Sequence, residues 1–300
     1  MNDKKEFDVN QGHGDHNDCI CEPGMTKEFF STWIPKCISE GELIALTEEK
    51  VLYNSGDGKS EKKSIAYLGD KKVPMRLELL LALDEDQNTL ESAYPEYDGA
   101  EVKVKVTKIH EWANGIEATL EGTVLGEAER DIAFFDTRYA LHKGDYEIGE
   151  EYTFRLAAFA YNAEVVPEKE REFRLEGDNA VKHRERLGDE PEYEEDGSPK
   201  PVVFRMDEMV AFFSKWGPYP DDAEFQSPVF EGVEEFNTFD TTFLKFSIAI
   251  AREEEDVIIP MIARKSMFKE ILKTKDPVRG MLWLQGYRVD CKKGDLVNDN

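Results

Sequence analysis

Cysteine is scarce: the 300 residues hold only Cys19, Cys21, Cys37 and Cys291, too few and too unevenly spread for a disulfide scaffold, which fits a reducing compartment. Long apolar runs are missing as well. The longest, Leu77 to Leu83, falls far short of the roughly 20 residues that cross a bilayer, and no signal-like apolar stretch follows the charged opening Met1 to Glu6. The chain is therefore expected to be soluble and cytoplasmic, with no membrane partner.

Basic residues are in deficit, 38 against 64 acidic ones, for a formal charge of -26. Such a field repels phosphate backbones and makes non-specific nucleic-acid binding an unsuitable function. Histidine is rare too: outside the N-terminus only His110, His142 and His183 occur, none beside a serine or cysteine in a nucleophile context. Gly-rich phosphate loops, nucleophile elbows and helical metal motifs are absent. No catalytic residue is assigned, and a non-enzymatic protein is expected.

What the chain does contain is enough apolar material, 40% hydrophobic with 11% aromatic residues, to bury substantial cores. Composition divides it into a polar, disordered leader (1–24), an N-terminal β-rich region (25–100), a first β-unit (101–166), a charged Pro- and Glu-rich linker (167–201), a helix plus second β-unit (202–293) and a frayed tail (294–300). In the second region Thr26 is expected to cap a short helix that Pro35 ends. Strict alternation from Glu101 to Ile109 places Val102, Val104 and Val106 on one face and lysines on the other, and Asn114-Gly115 marks the following turn. The spacing of Met209, Val210, Phe213 and Trp216 predicts a helix over 207–216.

Two stretches about 125 residues apart repeat one order of features. Asp131 to Phe135 precedes a gap and then Tyr152 to Tyr161; Asp256 to Pro260 precedes a similar gap and then Val278 to Tyr287. The closing segments align without a break, Leu156 with Leu282, Ala158 with Leu284, Ala160 with Gly286 and Tyr161 with Tyr287. Strand count and order in each unit resemble the oligonucleotide/oligosaccharide-binding (OB) barrel, a small five-stranded Greek-key fold. The resemblance implies a mainly β protein with minor α: two OB-like barrels plus the N-terminal β-rich region.

Two clusters are candidate sites. His13, His16, Cys19 and Cys21 carry the imidazoles and thiols that zinc prefers, although their spacing matches no standard finger, and polar leader residues with two exposed thiols are the plainer reading. Tyr152, Phe159, Tyr161, Trp283 and Tyr287 would stack a base or sugar if exposed, and would serve as packing if not. Acidic pairs such as Asp221-Asp222 are expected from chance alone in so acidic a chain. The leading expectation is a binding protein for a protein partner with a basic surface. Alternatives are single-stranded nucleic-acid or oligosaccharide binding, an acidic decoy that imitates DNA, and a metal-dependent enzyme or sensor using the His/Cys leader. No cofactor is expected beyond that possible zinc.

Overall fold

The computed structural model describes residues 14–22, 24–70, 74–85, 87–126, 129–252 and 255–289. His13, Cys291 and the 294–300 tail lie outside the described residues. Helix α1 (Thr26–Glu40) does not stop at Pro35; it runs through it and ends where the Gly41 N–H bonds the Cys37 carbonyl at 2.8 Å. A five-stranded antiparallel sheet follows, built from β1 (Glu42–Leu46), β2 (Val51–Asn54), β3 (Ser60–Gly69), β4 (Met75–Leu83) and β5 (Thr89–Tyr97), in the order β1-β3-β4-β5 with β2 beside β3.

The next strands are β6 (Ala100–Glu111), β7 (Ala118–Val124), β8 (Arg130–Asp136) and β9 (Glu151–Val165), with the short helix α2 (Tyr139–His142) before β9. The alternation of β6 holds: Val102, Val104 and Val106 are buried and its lysines face out. Gly115 takes a left-handed φ of 72° in the β6–β7 loop, a conformation glycine reaches without steric cost. The charged stretch read as a linker carries β10 (Glu172–Leu175) and helix α3 (Asp178–Leu187), and β10 pairs with β11 (Val202–Arg205) as a separate two-stranded sheet.

Six strands complete the described residues: β12 (Ala211–Ser214), β13 (Asp222–Pro228), β14 (Glu234–Thr238), β15 (Thr241–Arg252), β16 (Asp256–Arg264) and β17 (Pro277–Arg288). The helix expected over 207–216 is thus a strand. Phe212 is buried and Phe213 exposed, a period of two, because β13 offers an edge on which Ala211 to Ser214 pair; the open ladder outweighs a helical spacing that four residues satisfied.

One closed five-stranded barrel forms, in the cyclic order β6-β7-β8-β17-β9, with β8 and β17 parallel and the other junctions antiparallel. Of the two OB-like barrels expected, the structure shows one closed. β17, assigned to the second unit, is a stave of this barrel, and the long apolar alternation of β9 and β17 lets each pair with three strands, β9 with β6, β16 and β17, and β17 with β8, β9 and β13. The close β9–β17 approach depends on Gly286, where an added Cβ would come within 2.5 Å of the Leu156 side chain. From β9 the sheet continues through β16, β15 and β14; on the other side of β17 it continues through β13 and β12. Glu234 and Glu235 lie on the terminal strand β14, paired with Lys245 at 3.3 Å and Lys265 at 2.6 Å.

Two cores result. Val104, Leu120, Phe134, Phe154 and Leu284 belong to the one that fills the barrel. The neighbours on the opposite strand faces, Phe135, Phe159 and Trp283, join Tyr67, Leu79 and Tyr94 in a second core under the N-terminal sheet. Each such buried apolar side chain stabilises the fold by roughly 1.5–3 kcal/mol.

The β14–β15 turn is unusual, since Phe239 and Asp240 both hold left-handed φ values, 53° and 54°, costly for an aromatic residue. The Phe239 ring packs edge-on against Phe29 and Trp33 of α1, at 5.3 and 5.2 Å between centroids, and that contact offsets the strain. Replacing Phe239-Asp240 by Asn-Gly is expected to relax the turn yet lower stability by about 1 kcal/mol, measured by urea unfolding. A rise in stability would show that the ring contacts are worth less than the strain.

Candidate functional site

The two sequence-derived clusters meet. Residues 14–19 form a tight 3-10 turn that lies against β9 and β17, closed by the Ile20 N–H on the Asn17 carbonyl at 3.2 Å. The leader is therefore not free in this part: His16 and Ile20 are fully buried and Cys19 and Cys21 nearly so. The His16 ring stacks on Trp283 at 4.5 Å and 13°, lies 3.9 Å from the Tyr219 ring, and is 6.4 Å from Tyr161. Its Nε2 is 3.8 Å from Asp221 Oδ2 and 3.7 Å from Asp222 Oδ1.

Those carboxylates are held by the barrel. Trp283 Nε1 donates to Asp221 Oδ2 at 2.6 Å, the Tyr161 hydroxyl to Asp222 Oδ1 at 2.7 Å, and the Tyr219 N–H to Asp222 Oδ2 at 3.1 Å. Burial, and then the charge of its neighbour Asp222, pushes Asp221 up to about 7; burial pushes Asp222 up to about 6. Desolvation disfavours the anion in both.

The described members of the zinc candidate do not converge. His16 faces the two aspartates, whereas the Cys21 thiol donates to the Asn17 carbonyl at 3.4 Å and lies 3.6 Å from Thr26 Oγ1. Burial raises both the Cys19 and Cys21 thiols, which opposes the thiolate that zinc binds. Among the described residues no group of three or more His, Cys, Asp or Glu side chains is placed to hold a metal ion.

The aromatic candidates are packing residues first. Phe159 and Trp283 are sealed, at 1% and 0% exposure, because the N-terminal sheet and the 14–22 segment cover that face of the barrel. Tyr152 is buried, its hydroxyl donating to the Asp145 carbonyl at 3.1 Å and its ring under Arg288 at 4.3 Å. Tyr161 and Tyr287 are half-buried. Arg138 lies over the Tyr287 ring at 4.1 Å, and the Tyr287 hydroxyl donates to Asp98 at 2.9 Å. Sequence reasoning passed over Tyr219 and assigned the Asp221-Asp222 pair to chance; the only signal they give together is an aromatic residue one proline ahead of two acids.

A second constellation is open to solvent. Phe213, near the end of β12, is 53% and Trp216, in the turn toward β13, is 62% exposed, with ring centroids 5.9 Å apart. Lys215 between them has a left-handed φ of 62° and pairs with Glu121, which also bonds His110 Nε2 at 2.5 Å. Phe213 pairs with Glu224 in the β12–β13 ladder and Trp216 follows it in the turn, and both rings are open to solvent. Among the described residues no helix is long and apolar enough to cross a membrane. No family model, curated protein or solved structure matches the chain.

Proposed function

We propose that this chain is a non-enzymatic binding protein that docks a protein partner with a basic surface, using Phe213 and Trp216 as the anchor. The exposed ring pair is the observation that carries the reading. Large aromatics are the residues on which interface energy concentrates, and these two lie on a chain with a net charge of -26 that draws in cations from a distance. Stacking of bases or sugars on the barrel is the weaker reading, since Phe159 and Trp283 are covered.

The barrel itself we read as OB-type, and the chain as a duplicated unit of it. Leu284 pairs with Ala158, its own counterpart in the sequence alignment, while Leu282 pairs with Ala160 and Gly286 with Leu156, the register expected about a twofold axis. The parallel pairs β8–β17 and β9–β16 match each other in the same way. In this reading β13 and β14 together stand for β6: β13 pairs with β17 and β14 with β15, so the two units share β9 and β17.

The docking proposal is tested by titrating a fluorescent Lys/Arg-rich peptide into the protein, beside an acidic peptide and a single-stranded oligonucleotide. Binding of the basic peptide alone is expected, with an association rate that falls as salt rises and an affinity about tenfold weaker in Trp216→Ala. Equal affinity in wild type and variant, or a rate indifferent to salt, overturns it.

A further inference from the structure

We propose that the space bounded by Trp283, Tyr219, Tyr161, Asp221 and Asp222 is a recognition slot for a planar cationic ring, filled here by the chain's own His16. The inference stands apart from the docking surface of β12 and does not depend on it.

Its walls belong to the barrel and the approach to it: Tyr161 on β9, Trp283 on β17, Asp222 at the start of β13 and Tyr219 just before it. They are fixed to one another by the Trp283–Asp221, Tyr161–Asp222 and Tyr219–Asp222 hydrogen bonds, so the slot is organised without the ring that occupies it. The occupant arrives on a separate piece of chain. That piece is attached through Asn17 Nδ2 to the Ala93 carbonyl at 3.4 Å, through Glu22 to Arg264 at 2.9 Å and Ser266 at 3.1 Å, and through Asp18 to Thr26 at 2.9 Å.

Filling a hole would need only an apolar side chain. This slot instead sets two carboxylates within 4 Å of one ring nitrogen and aromatic faces on the ring, the combination by which protein sites bind nitrogen cations: charge at the edge, π-density on the face. Buried carboxylates are costly unless something positive offsets them. The chemistry therefore selects a flat, cationic nitrogen ring of imidazole size, and the 14–22 segment is a built-in ligand that a free ring of this class would compete with.

The test uses the full chain with His16→Gly, which removes the ring and leaves the walls. A fall in melting temperature of about 5 °C or more is expected, most of it restored by millimolar imidazole and not by pyrrole, which has the same shape but no cationic form. No rescue by imidazole, or equal rescue by pyrrole, overturns the proposal and makes the site plain packing. Should that variant not fold, His16→Gln and Asp222→Asn are measured singly and together. Non-additive melting shifts are expected, and additive shifts overturn the proposal.

Discussion

A chain ending after residue 276 is expected not to fold. β17 is bonded to β9 along its length and to β13 and β8 on its other edge, and it buries Val278, Leu282, Trp283 and Leu284 almost completely. At roughly 1.5–3 kcal/mol for each of those side chains, its loss approaches the whole stability of an ordinary domain, about 5–15 kcal/mol. It also opens the barrel between β8 and β9 and leaves both edges unsatisfied. The truncated protein should show a poorly dispersed proton spectrum and no cooperative urea transition, and a synthetic peptide of residues 277–289 should restore both. A truncated chain that unfolds cooperatively near the parent midpoint would mean that β17 is an accessory strand and not a stave.

Stability is expected to be higher near pH 5.5 than at pH 8. Burial raises Glu96 to about 7 and Asp136 to about 6, while the same groups titrate near 4 when unfolded. Between those values the native state holds more protons than the unfolded chain, so the stability they contribute is present at low pH and is lost as pH rises through 6 to 7. The carboxylates shifted the other way, among them Asp57, Asp84 and Asp207, sit at or near the surface and are lowered by lysine and arginine partners. They titrate below this window and do not oppose the trend. The gain from pH 8 to 5.5 should be on the order of 2–4 kcal/mol by urea unfolding, and Asp136→Asn should reduce it. An equal or lower stability at pH 5.5 would mean that these carboxylates stay ionised in the fold.

What the sequence discloses depends on the range of the interaction that decides each feature. The β6 alternation and the Asn114-Gly115 turn are settled by neighbours, and both stand in the fold. The gapless likeness of Tyr152–Tyr161 and Val278–Tyr287 marked two similar strands. It did not reveal that they pair with each other, because pairing is chosen by surfaces that meet only after more than a hundred residues have been placed. For Phe213 and Trp216, helical spacing competed with an available edge on β13, and the edge decided. Pro35 was read as a stop because proline removes one donor, but α1 continues past it while Phe29, Trp33 and Cys37 pack on other elements. The His16 slot was hidden for a different reason: its parts come from four separate stretches, each of which resembles ordinary leader, strand or acidic surface.

The margin of the ten-stranded sheet at β14 bears on behaviour in a crowded solution. Its open backbone donors and acceptors would invite a strand from another molecule. Glu234 and Glu235, balanced within the same chain by Lys245 and Lys265, place a charged fringe in the path of any such newcomer. Fibril growth from this border would have to bury carboxylates whose cations are already engaged, a kinetic guard against self-templating that serves the molecule at any concentration.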